Sequence, residues 1–372
     1  MSSLSYHVAT APDDEALRRL WRETPMPGRI ALAFEREPSI FLAAGLQGDV
    51  HQTLVAIDAE SGRAVGSAGR AELQAYVNGQ VTTLGYLSEL RVHPERRWHR
   101  TLLTDGWAHF REMHERGAAK LYVTTVFADN IAAHRLLTRN RPGWPVYRAR
   151  ERVTTLAVVL PRAKKVRCPV AGVELRRARV EDVDAIADCL QRVYARQQLA
   201  PYWRVADLQS AVRCRGLAVE DFTVATRGGR VVGSVAVWDQ QAFKQTRIHG
   251  YSGTMRWLRH GWNLAAPLWR RPPLPEPGQL LPHAFLSHIA VEDQDPALFV
   301  ALAKTALAAV HDRRYAYVTF TLSEHSPLLV AARRCFRSMA YDSILYLVHV
   351  GDGADAVAGV DSRPAHLEAA IL

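Results

Sequence analysis

The apolar positions of this chain change period several times, and the order of those changes occurs twice. Residues 7–17 start as a short alternating run and pass, at Asp13 and Asp14, into helical spacing. That is a strand followed by a helix whose acidic first turn suits the helix dipole. Residues 174–186 repeat it, with Glu181 and Asp182 ahead of the helical part. Period-two runs at 53–58 and 65–67 flank the turn Glu60-Ser-Gly-Arg63, and runs at 222–226 and 232–238 flank Arg227-Gly-Gly-Arg230. Both read as hairpins. The first hairpin is followed by a strand at 84–92, a helix near 100–116, a strand at 120–126, a helix near 130–139 and a strand near 153–160. Counterparts follow the second at 284–291, 296–311, 316–322, 327–338 and 343–350.

Between the copies, residues 161–172 break every regular pattern, which sets the expected domains at 1–162 and 172–352, with 353–372 as an Ala/Asp-rich tail. Elements in this order predict an α/β (α+β) architecture for each repeat, a mixed and mostly antiparallel sheet with helices on both faces. The second copy also carries an insertion at 240–283.

Composition changes this picture little. Of 372 residues, 48% are hydrophobic and 23% charged, enough for two cores. Cys168, Cys189, Cys214 and Cys335 lie far apart, so neither a disulfide framework nor a zinc site is expected. No apolar run approaches the roughly 20 residues that span a bilayer, and the first residues lack the pattern of a signal peptide. A cytoplasmic location is therefore expected. The net charge of +10 favours anionic partners.

Several motifs stand in a telling order: an Arg-x-Ala-x-x-x-Asp opening ending at Asp182, Val-Gly-Ser in both hairpins, Tyr86-Leu-Ser-Glu-Leu-Arg-Val92-x-Pro94-x-x-Arg97, and Asn130-x-x-Ala133 at a helix start. In this order the chain resembles the GNAT N-acetyltransferases, as a tandem pair covering nearly its whole length. The resemblance implies an acyl-CoA-dependent N-acyltransferase that moves an acyl group, from acetyl-CoA or another acyl-CoA, to an amine within a ternary complex. It needs no metal. A small molecule or peptide would supply the amine, and a carboxylate or phosphate on it would suit the positive charge.

The helix after residue 92 would offer free N–H groups to the cofactor pyrophosphate. The expected cofactor-binding set is Leu90, Val92, Arg97, Trp98, His99, Arg100, Thr101, Leu102 and Asn130. Arg97 keeps the family pattern, whereas Trp98, Arg100 and Leu102 stand where glycines are common. Glu89 resembles the acidic position that serves some relatives as base, with an exposed glutamate paired to an arginine as the alternative. Leu137 occupies the place of the usual tyrosine acid, which leaves Tyr86, Tyr122 and Tyr147 as candidates. Asn130 either bonds the pantetheine arm or only caps its helix.

The second copy departs from this. Asp295 reads as an N-cap and Pro296 as the first helical residue, while the first helix start is read as free of acids. Carboxylates there would repel a pyrophosphate, so the second copy is expected to bind no coenzyme A. His288, which matches Glu89 in position, reads as a buried structural histidine. The insertion interleaves Trp257, Trp262 and Trp269 with arginines, and 255–269 has amphipathic helical spacing. Its leading reading is a packed element whose tryptophans fill a groove between the domains. Nucleic-acid and membrane-surface binding are lesser readings, and a non-catalytic module of the same fold is the alternative to the enzyme.

Overall fold

The computed structural model describes residues 4–28, 30–97, 99, 101–160, 166–269, 273–310 and 315–372. Trp98, Arg100 and residues 161–165 of the expected linker lie outside them. The first half runs β1 (Leu4–Val8), α1 (Asp14–Glu23), β2 (Ile30–Glu35), α2 (Phe41–Gln47), β3 (Val50–Asp58), β4 (Ala64–Val77), β5 (Gln80–Val92), α3 (Leu102–Glu115), β6 (Leu121–Phe127), α4 (Ile131–Leu137) and β7 (Val146–Val159). The second continues with β8 (Val173–Arg177), α5 (Val183–Tyr194), α6 (Val205–Leu208), β9 (Phe222–Arg227), β10 (Arg230–Trp238), β11 (Gln245–Tyr251) and α7 (Met255–Trp269). It ends with β12 (His283–Val291), α8 (Pro296–Ala309), β13 (Tyr317–Ser323), α9 (Pro327–Cys335), β14 (Ser338–His349) and α10 (Ala354–Ala358).

Twelve strands form one sheet in the order β1-β3-β4-β5-β6-β14-β7-β13-β12-β10-β9-β8. β5 with β6 and β12 with β13 are parallel pairs, and the other neighbours are antiparallel. Each half is thus the mixed, mostly antiparallel α/β sheet expected. At the centre, β14 pairs with both β6 and β7, while β7 pairs with β14 and β13. The last strand of each half is therefore held by the other half.

Strand alternation places helices on both faces. On β3, Leu54 and Ala56 point to the side covered by α3, whereas Val55 packs with Leu17, Leu20 and Trp21 of α1. In the second half α8 buries Phe299, Leu302 and Leu307 against Val235, Val237 and Phe320. Each such side chain contributes about 1.5–3 kcal/mol of transfer free energy.

Turns fix the hairpins. Gly228 and Gly229 have φ of +55° and +80° between β9 and β10, the left-handed pair that a two-residue hairpin turn needs. Asn78 and Gly79, at +55° and +78°, do the same between β4 and β5, so that hairpin begins well before residue 84. β2 and β11, neither predicted, form a separate two-stranded sheet. The buried Glu35 accepts two bonds from Arg247, at 2.7 and 3.0 Å, and thereby ties the insertion to the first half.

Candidate active site

In each half the hairpin strand and the strand after it are interrupted at one corresponding point. Opposite Ser67 the register of β5 jumps from Arg91 to Ser88, and Glu89 takes a φ of +52°. Opposite Ser234 the register of β12 jumps from Ala290 to Ser287, and His288 takes +51°. The serine hydroxyl donates to the bulged carbonyl in both places, at 2.9 Å to Glu89 and 3.4 Å to His288. A bulge of this kind bends the strand and redirects a side chain. Here it turns the strand away from its parallel neighbour.

In the first half β5 and β6 pair only over residues 84–86 and 121–123. Gly85 permits this contact, because a Cβ there would meet the Tyr122 ring at 2.0 Å. Beyond it the strands part around a cavity of about 930 Å³ that passes from the α3 face to the β2–β11 face. Glu89, Leu90, Val92, Leu102 and Asn130 all line it. Arg97, His99 and Thr101 sit on the turn before α3 and are not part of its wall.

Glu89 is partly buried and takes a bond from Arg36 at 3.0 Å on Oε1, while Oε2 lies 3.5 Å from Arg91. The second contact is long, which leaves Oε2 able to accept from a bound molecule. Arg91 has a buried Nε with no partner among the described residues, and burial lowers its pKa. Lys244 completes this wall; its Nζ donates to the main-chain oxygens of Ala370 and Leu372 at 3.0 and 2.9 Å, and burial pushes its pKa well down. Arg36 and Lys244 escaped sequence reading because they flank β2 and β11, strands with no clear local signal.

The two helix starts differ. Thr101 gives α3 no side-chain cap, and among the described residues no side chain accepts from the amides of its first turn. Asp105 does lie in that turn, which corrects the reading of this start as free of acids. Among the described residues no carboxylate pairs with Arg97. At α8, Asp295 accepts from the amides of Ala297 and Leu298 at 2.8 and 3.2 Å, with Pro296 behind it. Asn130 caps α4 by accepting from Ala133 at 3.1 Å.

The tyrosine candidates separate by location. Tyr122 is engaged with Arg70 at 3.2 Å and His114 at 2.9 Å and does not line the cavity. Tyr86 and Tyr147 do line it, and burial raises the pKa of both. Tyr147 packs in the same cluster as Leu137, Trp107 and Phe110 beneath α3 and α4.

In the second half the corresponding opening is filled. β12 and β13 pair only over 283–285 and 317–319, yet Ala365, Leu367, Ala370 and Ile371 from the end of the chain are buried in the core there. The His288 ring lies tilted against those of Trp203 and Phe222, with centroids 4.5 and 5.1 Å away, and Glu368 accepts from its amide at 2.7 Å. Burial pushes its pKa down to about 4. It is a core histidine, as expected.

No protein-family model matches the chain, and no curated protein matches it in sequence. Solved structures match its fold. A GCN5-related glucosamine N-acetyltransferase region of a fungal multi-domain GH3 β-N-acetylglucosaminidase superposes with a TM-score of 0.60 at 14% identity, over 93% of this chain and 38% of that one. The chain thus spans well under half the length of that protein. The N-myristoyltransferase of Saccharomyces cerevisiae, with bound myristoyl-CoA, matches at 0.60 and 14% over 93% of this chain and 83% of that one. A tandem GNAT protein from the clavulanic acid biosynthesis pathway matches at 0.56 and 15%, over 94% and 99%. The chain has a tandem GNAT fold.

Proposed function

We propose that the chain is an acyl-CoA-dependent N-acyltransferase, with donor and amine bound together in the β5–β6 cavity. The observation that carries this reading is the open strand pair leading to an uncapped α3, with the Glu89 carboxylate at the bulge between them. The pyrophosphate would lie on the first-turn amides of α3, with Arg97 on the preceding turn adding a charge-assisted bond. Helix N-termini hold anions through their N–H groups, so the missing glycines weaken the approach without removing the donors. Asp105 opposes this charge in part. The pantetheine arm would follow the main chain of Leu90 and Val92 toward Asn130.

In the transfer, the amine nitrogen attacks the thioester carbonyl carbon; the C–N bond forms and the C–S bond breaks. Glu89 Oε2 takes the proton from the amine, and Arg36 orients the carboxylate. Tyr147 gives its proton to the departing thiolate from the cluster in which Leu137 stands. Its raised pKa keeps that proton on at neutral pH. Arg91, with its unpartnered Nε, favours an amine that also carries an anionic group.

Calorimetry with acetyl-CoA and with myristoyl-CoA tests the reading, run on the wild type and on Arg97→Ala, together with mass spectrometry of a panel of amines incubated with donor and protein. Binding weakened by the substitution, and an acylated amine, are expected. No binding of either donor would overturn it and favour a non-catalytic module.

A further inference from the structure

Helix α7 has two apolar sides, and only one is used. Its inner side is anchored: Asn263 exchanges two bonds with the main chain of Leu274, at 2.8 and 3.1 Å, Ala266 is buried, and Arg259 lies over the Tyr251 ring at 5.9 Å. The outer side presents Trp257, Leu264 and Leu268 at 77%, 81% and 86% exposure, with Gly261 between them and Leu258, at 60%, beside the row. Spacings of four, three and four residues put 257, 261, 264 and 268 in one stripe about 17 Å long. This corrects the expectation that Trp257 fills a groove between the halves.

Such a stripe on a fixed helix demands a partner. Charge narrows the choice. Arg256 and His260 are exposed along one edge of the stripe, the sequence continues into Arg270 and Arg271, and no Asp or Glu occurs from residue 240 to residue 275. A second copy of the chain would bring two such basic surfaces together, which opposes self-association. An interfacial helix with aromatic and leucine side chains outward, bordered by basic residues and free of acids, fits a bilayer rich in anionic lipid.

We infer that α7 seats the protein on an anionic lipid surface through Trp257, Leu264 and Leu268. Met255 at the start of the helix and Leu274 and Pro275 after it line the cavity, so seating brings that end of the cavity to the membrane. The inference stands apart from acyl transfer, since vesicle binding is measured without donor.

The test uses the whole chain in flotation with vesicles of phosphatidylcholine alone or mixed with phosphatidylglycerol. Binding to the mixed vesicles is expected, weakening as salt rises. The triple variant Trp257→Ser/Leu264→Ser/Leu268→Ser should bind on the order of a hundredfold more weakly or worse. Unchanged thermal unfolding of that variant shows that the fold is intact. Failure to bind mixed vesicles, equal binding to both vesicles, or binding that survives the triple substitution would overturn the inference. So would light scattering that finds a wild-type dimer and a monomeric triple variant, because the stripe would then be covered by a second copy.

Discussion

Glu89 and His288 occupy one backbone position in two settings. Each has a left-handed φ opposite a serine that holds its carbonyl, and each stands where a parallel strand pair stops. In the first half the side chain is a carboxylate in a cavity, on the path to an uncapped helix. In the second it is an imidazole enclosed by aromatic rings, the opening is packed with the end of the chain, and Asp295 closes the helix start. The bulge is a property of the fold. What differs is whether the space it opens stays empty, and that is decided by side chains brought from elsewhere.

The comparison can be broken most sharply at Glu89. Glu89→Gln should lower kcat by about 10²–10⁴ if the carboxylate takes the proton, with little change in donor affinity. His288→Asn, which tolerates the positive φ, should leave donor binding unchanged. If both lowered turnover alike, the division of labour between the halves would be wrong.

A pH titration of stability reports on His288 itself. With its pKa at about 4 in the folded protein and near 6.5 unfolded, only the unfolded chain takes up its proton between those values. Stability contributed by the neutral ring is complete above pH 6.5 and is lost as pH falls toward 4, by about 3 kcal/mol. Burial also holds His51, His283 and His349 below their usual range, so both proteins lose stability as pH falls, and thermal unfolding should show a steeper loss in the wild type than in His288→Asn across this window. Tyr147→Phe is expected to reduce turnover about tenfold or more, while Tyr122→Phe affects stability through Arg70 and His114. The smallest effect belongs to Asp295→Ala, about 1 kcal/mol off the unfolding free energy with no loss of donor binding.

Much of this was legible locally. Asp295 and Pro296 carry their helix start within two residues, and Gly228-Gly229 specify a turn without help from the rest of the chain. The sequence alone allows Asn130 two roles, and its cap on Ala133 is as local as that of Asp295. The exchange of β7 and β14 was not legible, because strand alternation says which face is buried but not which strand lies alongside. β2 and β11 pair across some two hundred residues, so Arg36 and Lys244 gave no sign of meeting one cavity. Sequence does not separate Tyr122 from Tyr147, whereas in the fold the Tyr122 hydroxyl is bonded to Arg70 and His114 and Tyr147 lines the cavity. Tryptophan is buried more often than not, which points Trp257 inward on sequence alone, whereas α7 turns it outward.

The central claim is that one half receives the donor and the other does not. Hydrogen exchange with and without a non-transferable acyl-CoA analogue addresses it amide by amide. The account predicts added protection at residues 102–104, at the start of α3, and unchanged exchange at Ala297 and Leu298. Protection at the start of α8, or none at α3, would contradict it.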